Sequence, residues 1–109
     1  MKITLALAAI VVILSQLSFA ADQVTDWGYI TQFRTGWVED SMAVFVNVPM
    51  KNTGCKTTDA GYATNPNDAG HKLFHASLLA AYFNNKQVQL VLRDCVYDKP
   101  RIIAVYVKD

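Results

Sequence analysis

The chain has 109 residues, 52% of them hydrophobic, and carries ten Lys and Arg against nine Asp and Glu. This near-neutral balance excludes a general electrostatic attraction to nucleic acid or anionic lipid as the main mode of action. The length allows one small domain with one core.

The first twenty residues form an apolar leader. Met1-Lys2 gives a positive start, residues 3–14 are an almost unbroken apolar run, and Ser18-Phe19-Ala20 is a small-residue cleavage pattern. This layout predicts a secretory signal peptide over residues 1–20. The run of about 12 residues is shorter than the roughly 20 that a membrane-spanning helix needs. We expect a periplasmic or secreted protein whose mature part, residues 21–109, is a single domain of zero net charge without a membrane span.

The mature part contains two cysteines, Cys55 and Cys95. In a small exported domain, an even pair is typical of a disulfide. The 41-residue loop that it would close corresponds to roughly 4 kcal/mol of stabilisation in the chain-entropy model. A metal pair or a reactive thiol would need neighbouring ligands or bases, and no Cys-x-x-Cys or nearby His is present.

Strand patterns dominate the mature part. Residues 27–33 alternate between aromatic or β-branched and smaller or polar residues, and residues 41–48 are rich in strand formers up to Pro49. These two segments predict an antiparallel hairpin with Glu39-Asp40 in or near its connection. A loop around Cys55 follows, and residues 62–64 predict a short third strand.

One helix is expected between the third and fourth strands. Asn65 can cap it, Pro66 suits the first helical position and Asp68 suits the positive helix end, while Asn84-Asn85 can end it after Phe83. Residues 87–93 and 102–107 predict two further strands. The order strand, strand, strand, helix, strand, strand predicts a mainly β fold with one helix, a five-stranded barrel of the OB type. The alternative is an open α+β sheet with one covering helix.

The helix has apolar residues on both sides. A helical wheel predicts a core arc and an opposite arc that is mostly polar but also apolar at three positions. The core arc holds Leu73, Phe74, Ser77, Leu78, Ala80 and Ala81, and the apolar residues of the outer arc are Leu79, Tyr82 and Phe83. Either a long loop or another subunit would cover this outer side, so a homo-oligomer is one expectation.

Asp68, His71 and His75 share one helical face through their i, i+3, i+7 spacing. Two imidazoles and a carboxylate in this arrangement could hold zinc or copper. The opposing interpretation is a pair of surface histidines near a helix start, since the spacing lacks the Glu of the metalloprotease motif and a distant fourth ligand.

The mature chain contains no pattern typical of a catalytic site. Ser41 and Ser77 are its only serines, and no Gly-x-Ser-x-Gly, phosphate-binding glycine loop or framed carboxylate pair is present. We therefore expect a non-enzymatic protein without a cofactor.

Aromatic residues are concentrated around the first predicted strand. Trp27, Tyr29, Thr31 and Phe33 would share one face of an alternating strand, and Trp37 follows closely. Core packing is one interpretation. The other is a platform for a sugar or another flat ligand, in which Asp26, Thr31 or Gln32 would form hydrogen bonds. The ligand-binding candidates are Asp26, Trp27, Tyr29, Thr31 and Trp37.

The run Ile30-Thr31-Gln32-Phe33-Arg34-Thr35-Gly36 resembles the first strand and turn of AB5 toxin B subunits, above all that of subtilase cytotoxin. The resemblance implies an OB-type barrel that assembles as a pentamer and binds cell-surface glycans, with Asp26 where the toxin has its glycan-binding serine. The segment 78–82 is similar to small uncharacterised exported proteins of Gram-negative bacteria. We expect an exported domain that binds a glycan or a protein partner. A protein-interaction or structural domain without a small ligand and a helix-borne metal-binding protein are the alternatives.

Overall fold

The computed structural model describes residues 21–36 and 38–109. The predicted signal peptide and the ligand candidate Trp37 lie outside these residues. The described part is mainly β with one helix, in the predicted order and with one additional two-residue strand at its start. Its elements are β1 (Gln23–Val24), β2 (Gly28–Gly36), β3 (Glu39–Val46), β4 (Tyr62–Ala63), α1 (His71–Phe83), β5 (Gln87–Val96) and β6 (Lys99–Lys108).

The strands form one mixed sheet whose pairing returns to its starting point. Strand β2 pairs with β3, β3 with β4, β4 with β6, β6 with β5, and β5 with β2. Among these described strands, β4 and β6 form the one parallel pair, and β1 adds to β5 as an antiparallel neighbour. Because the pairing is ring-like, the sheet has an inner and an outer side.

The core lies on the inner side of this ring. Strand β5 contributes every second residue to it, as its sequence alternation predicts. The buried residues of the core cluster are Ile30, Met42, Val44, Tyr62, Leu78, Ala81, Val88, Leu90, Leu92 and Ile102.

The start of the helix differs from the prediction, whereas its end and the hairpin connection do not. Helix α1 begins at His71 after Gly70, without a side-chain cap. The reason is that Asn65 closes a separate turn, in which its Oδ1 accepts from the Asn67 N–H at 2.9 Å and its carbonyl from the Asp68 N–H at 3.0 Å. The C-terminal end at Asn84 and Asn85 is confirmed, with Asn85 left-handed at φ 54°. Glu39 and Asp40 lie near the connection with β2, as predicted, and are the first two residues of β3.

The orientation of α1 also differs from the wheel prediction. Leu78 and Ala81 are buried, but Leu73 is 71% exposed and Ala80 is exposed. Leu79, predicted on the outer arc, packs against the core, while Phe83 is 72% exposed. Within the described residues, no helix is long and apolar enough to cross a membrane.

The two cysteines form the predicted disulfide. The Cys55 and Cys95 sulfurs are 2.03 Å apart and their Cα atoms 5.7 Å apart. The bond joins the loop before β4 to the end of β5, and the Thr53 hydroxyl donates to the Asp94 carbonyl beside it at 2.5 Å. The loop is thereby fixed to the β5–β6 hairpin.

Candidate functional site: an aromatic outer face

The segment that carries Asp26 and Trp27 is fixed by hydrogen bonds of Thr25 on one side and by close packing at Gly28 on the other. Thr25 is buried, and its hydroxyl accepts from the Leu90 N–H at 3.0 Å while its own N–H donates to the Leu90 carbonyl at 3.0 Å. Gly28 lies so close to the end of β3 that a Cβ there would stand 2.6 Å from Val48 Cγ1. A larger residue at position 28 would therefore have to displace the Val48 side chain.

Tyr29 is held in an outward position by Asn47. The Tyr29 N–H donates to Asn47 Oδ1 at 2.8 Å, and the Asn47 N–H donates to the Tyr29 carbonyl at 3.0 Å. Since its neighbours Gly28 and Ile30 are buried, Tyr29 takes the alternate, outer side and is 37% exposed. Of the two interpretations of the aromatic residues in this strand, core packing and a surface platform, the exposure of Tyr29 fits the second.

The sheet register brings further side chains onto the same outer side. Tyr29 pairs with Gln87, Gln87 with Lys108, and Gln89 with Tyr106. Directly opposed residues of neighbouring strands share a face, and Tyr106 is 50% exposed. The Lys108 Nζ lies 4.4 Å from the centroid of the Trp27 ring, which is half-buried. We call this surface the aromatic face, comprising Trp27, Tyr29, Gln87, Gln89, Tyr106 and Lys108.

The two amides of the aromatic face are held in place by backbone contacts. Gln87 Nε2 donates to the Asp109 carbonyl at 2.9 Å, and Gln89 Nε2 donates to the Thr25 carbonyl at 3.1 Å. Each bond uses one N–H of its amide and orients the rest of the group. The face thus combines aromatic rings with oriented hydrogen-bonding groups, the composition expected for a surface that recognises a ligand with both apolar and hydroxyl-bearing parts.

The other ligand candidates divide between this face and other positions. Asp26 is exposed next to Trp27. Thr31 is exposed at a register shift of β2, and its hydroxyl donates to the Phe45 carbonyl at 3.3 Å. The same shift interrupts the alternation, so Phe33 does not share the outer side with Tyr29. Phe33 packs instead against the core and against Tyr82 of α1, with ring centroids 5.2 Å apart.

The residues that sequence reasoning missed are Gln87, Gln89, Tyr106 and Lys108. They lie on the last two strands, about 60 to 80 positions after Tyr29. The alternation of Gln87 and Gln89 with the buried Val88 and Leu90 is visible in the sequence. Only the register of β2, β5 and β6 places all four residues beside Tyr29.

The predicted metal-ligand set is divided by the structure. The Asp68 carboxylate lies 3.7 Å from the Arg101 Nε, whereas the two histidines meet Asp40 of β3. The distance is 2.8 Å between His71 Nε2 and Asp40 Oδ2 and 3.6 Å between His75 Nδ1 and Asp40 Oδ1. Among residues 21–36 and 38–109, no group of three or more His, Cys, Asp or Glu side chains is placed to hold a metal ion.

The pKa values of the two histidines are shifted in opposite directions. His71 donates from Nδ1 to the Asp68 carbonyl at 2.7 Å and from Nε2 to Asp40, and two acceptors require a proton on both nitrogens. These bonds raise the pKa of His71, that to the Asp68 carbonyl most, and the bond from His71 lowers the pKa of Asp40. Burial lowers the pKa of His75, whose Nε2 lies 2.6 Å from Thr64 Oγ1.

His75 lies between Thr64 and Asp40, and the three residue types match a nucleophile, a base and an acid that orients the base. Thr64 is fully buried, however, and its oxygen accepts from the Met42 N–H at 2.9 Å. A nucleophile must reach its substrate, so this hydroxyl serves to join β3, the segment after β4 and α1.

Comparison with known proteins gave no match to a protein-family model, to a curated protein sequence or to a solved structure.

Proposed function

We propose that the protein is an exported, non-enzymatic binding domain that holds a glycan against the aromatic face. The observation that carries the proposal is the register that places Tyr29, Gln87 and Lys108 in one row on the outer side, with Gln89 and Tyr106 beside it. Aromatic rings stack on the apolar faces of sugar rings, while amide and ammonium groups bond to their hydroxyls. Asp26 stands at the edge of this surface.

The proposal includes an OB-like barrel. Its support is the ring-like pairing of the strands, the parallel β4–β6 pair and the position of α1 between β4 and β5. The disulfide supports export, because such bonds persist in oxidising compartments. A barrel of this type and the toxin-like run at residues 30–36 together favour a B-subunit-like role.

A glycan array tests the proposal. We expect the folded exported protein to bind a defined set of glycans, and Tyr29→Ala or Tyr106→Ala to weaken that binding about tenfold through loss of one stacking contact. Tyr82→Ala is the matched control, because Tyr82 is 38% exposed but packs on Phe33. A blank array from folded protein, or equal losses in all three variants, would refute the glycan function.

A protein-interaction domain is the second candidate. It is favoured by the exposed apolar side of α1, where Leu73 and Phe83 are more than two-thirds exposed. Exposed apolar residues grouped on one helix are typical of surfaces that meet another protein. A blank array combined with concentration-dependent mass of the native protein would favour this second function.

A further inference from the structure

A cleft of about 310 Å³ opens between the β2–β3 hairpin and the β5–β6 turn. Its volume is at the lower end of the roughly 300 to 1,000 Å³ that small-molecule sites occupy. Met42 and Ala63 give it an apolar part, and the polar side chains that line it include Arg34, Ser41 and Lys99. None of the six residues of the aromatic face lines this cleft.

The basic and acidic side chains of the cleft differ in whether they have a polar partner. The Arg34 guanidinium lies over the Phe45 ring, 5.1 Å from its centroid. Neither Arg34 nor Lys99 forms an ion pair with any carboxylate of the described residues. Glu39 lines the same cleft, but its carboxylate accepts a hydrogen bond from the Tyr97 hydroxyl. Arg34 and Lys99, two cations without a carboxylate partner among the described residues, therefore line the cleft beside one engaged acid.

Tyr97 occupies a costly backbone position at the rim. Tyr97 and Asp98 are the two central residues between the paired Val96 and Lys99, with φ of 52° and 61°. A two-residue turn with both central residues left-handed favours Asn, Asp or Gly. Asp98 suits it, whereas a bulky Tyr does not, and strain of this kind is concentrated at functional sites. The turn thus keeps an unfavourable residue where its ring lines the cleft.

We propose that this cleft binds a small organic anion whose carboxylate, sulfate or phosphate group contacts Arg34 and Lys99. A guanidinium can bond an oxyanion with two parallel N–H donors, and an ammonium adds a point charge. The Ser41 hydroxyl offers a further donor, and the Tyr97 ring offers contact to the organic part. The site is separate from the proposed glycan face, so its test does not depend on that function.

The test is an NMR titration of the exported, ¹⁵N-labelled protein with D-glucuronate, D-glucose 6-phosphate, inorganic sulfate and neutral D-glucose at constant ionic strength. We expect saturable shifts of amides in residues 34–36, 39–43 and 97–99 with at least one organic anion. Saturation by glucuronate identifies a carboxylate source and saturation by glucose 6-phosphate a phosphate source. Saturation by sulfate alone, shifts with glucose equal to those with the anions, or no saturable shift would overturn the proposal.

Charge variants with opposite expected signs sharpen the test. Arg34→Gln and Lys99→Gln should each weaken binding about tenfold, the loss of one charge-assisted contact, whereas Arg34→Lys should weaken it less. Glu39→Gln should tighten binding by about threefold, because it removes a nearby negative charge. Lys56→Gln, a matched loss of charge at an exposed lysine that does not line the cleft, should leave binding unchanged. Equal weakening in Lys56→Gln would show a merely general charge effect and refute the site.

Discussion

Strand β5 and helix α1 pack on the same core in different ways. In β5, Val88, Leu90 and Leu92 are completely buried at every second position. In α1, Leu78 and Ala81 are buried, while the half that begins at His71 meets β3 and the segment after β4 through polar groups. The side chains that β5 turns to the core are all apolar, whereas those of α1 also include histidines with hydrogen-bond partners.

Truncating the strand should have the largest effect. Leu90→Ala removes a fully buried side chain and should lower the free energy of unfolding by about 3 kcal/mol, because it combines lost burial with a cavity. Urea denaturation at neutral pH measures this loss. Val107→Ala is the control, since Val107 is 43% exposed at the end of the neighbouring strand. Equal losses of unfolding free energy in both variants would contradict the assignment of Leu90 to the buried core.

The two regions also differ in what sequence reasoning could predict. The period-two pattern of β5 places its buried residues correctly, because every inward side chain is apolar. On the helix, one interpretation made His71 and His75 surface histidines, yet both side chains are only 14% exposed. They can lie inward because Asp40 and Thr64 supply partners, and these come from distant parts of the chain. The buried arc of α1 is therefore rotated toward the histidines, which leaves Leu73 in solvent.

Dependence on residues that are distant in sequence also limits prediction of the candidate site. The local strand pattern identified Tyr29 and placed Trp27 beside it. It could not supply Tyr106 or Lys108, since cross-strand neighbours depend on register. The turn at Asn65 also shows that a side chain suited to a helix cap can close a different local structure when its own backbone carbonyl accepts a bond.

The polar junction of α1 should show a smaller, pH-dependent effect with opposite signs at the two histidines. The raised pKa of His71 means that its contribution to stability is full below the usual histidine value of about 6.5 and is lost as pH rises through the raised folded value. The lowered pKa of His75 means that stability falls as pH drops below about 6.5 toward its folded value. Asp40, whose pKa is lowered, stays charged throughout this range.

Urea denaturation of His71→Gln and His75→Gln between pH 5 and 9 measures these two slopes. We expect the destabilisation by His71→Gln to be greater at pH 5.5 than at pH 8.5, and that by His75→Gln to be greater at the higher pH. The neighbouring charges on Asp68, Lys72 and Arg101 are unchanged in both variants, so they serve as a common background. If the destabilisation by the two variants changed with pH in the same direction, the opposite pKa shifts of His71 and His75 would be contradicted.

The smallest effect should come from the leucine that the helical pattern assigned to the core. Leu73→Ala should change the free energy of unfolding by less than about 0.5 kcal/mol, because Leu73 is 71% exposed and alanine has at least equal helix propensity. Leu78→Ala is the matched control on the same helix and should cost about 3 kcal/mol, since Leu78 is 1% exposed. If Leu73→Ala proved as costly as Leu78→Ala, Leu73 would be covered in the native protein, and a second subunit on α1 would account for the cost. Repeating the denaturation at several protein concentrations decides between these cases, because a subunit contact makes stability depend on concentration.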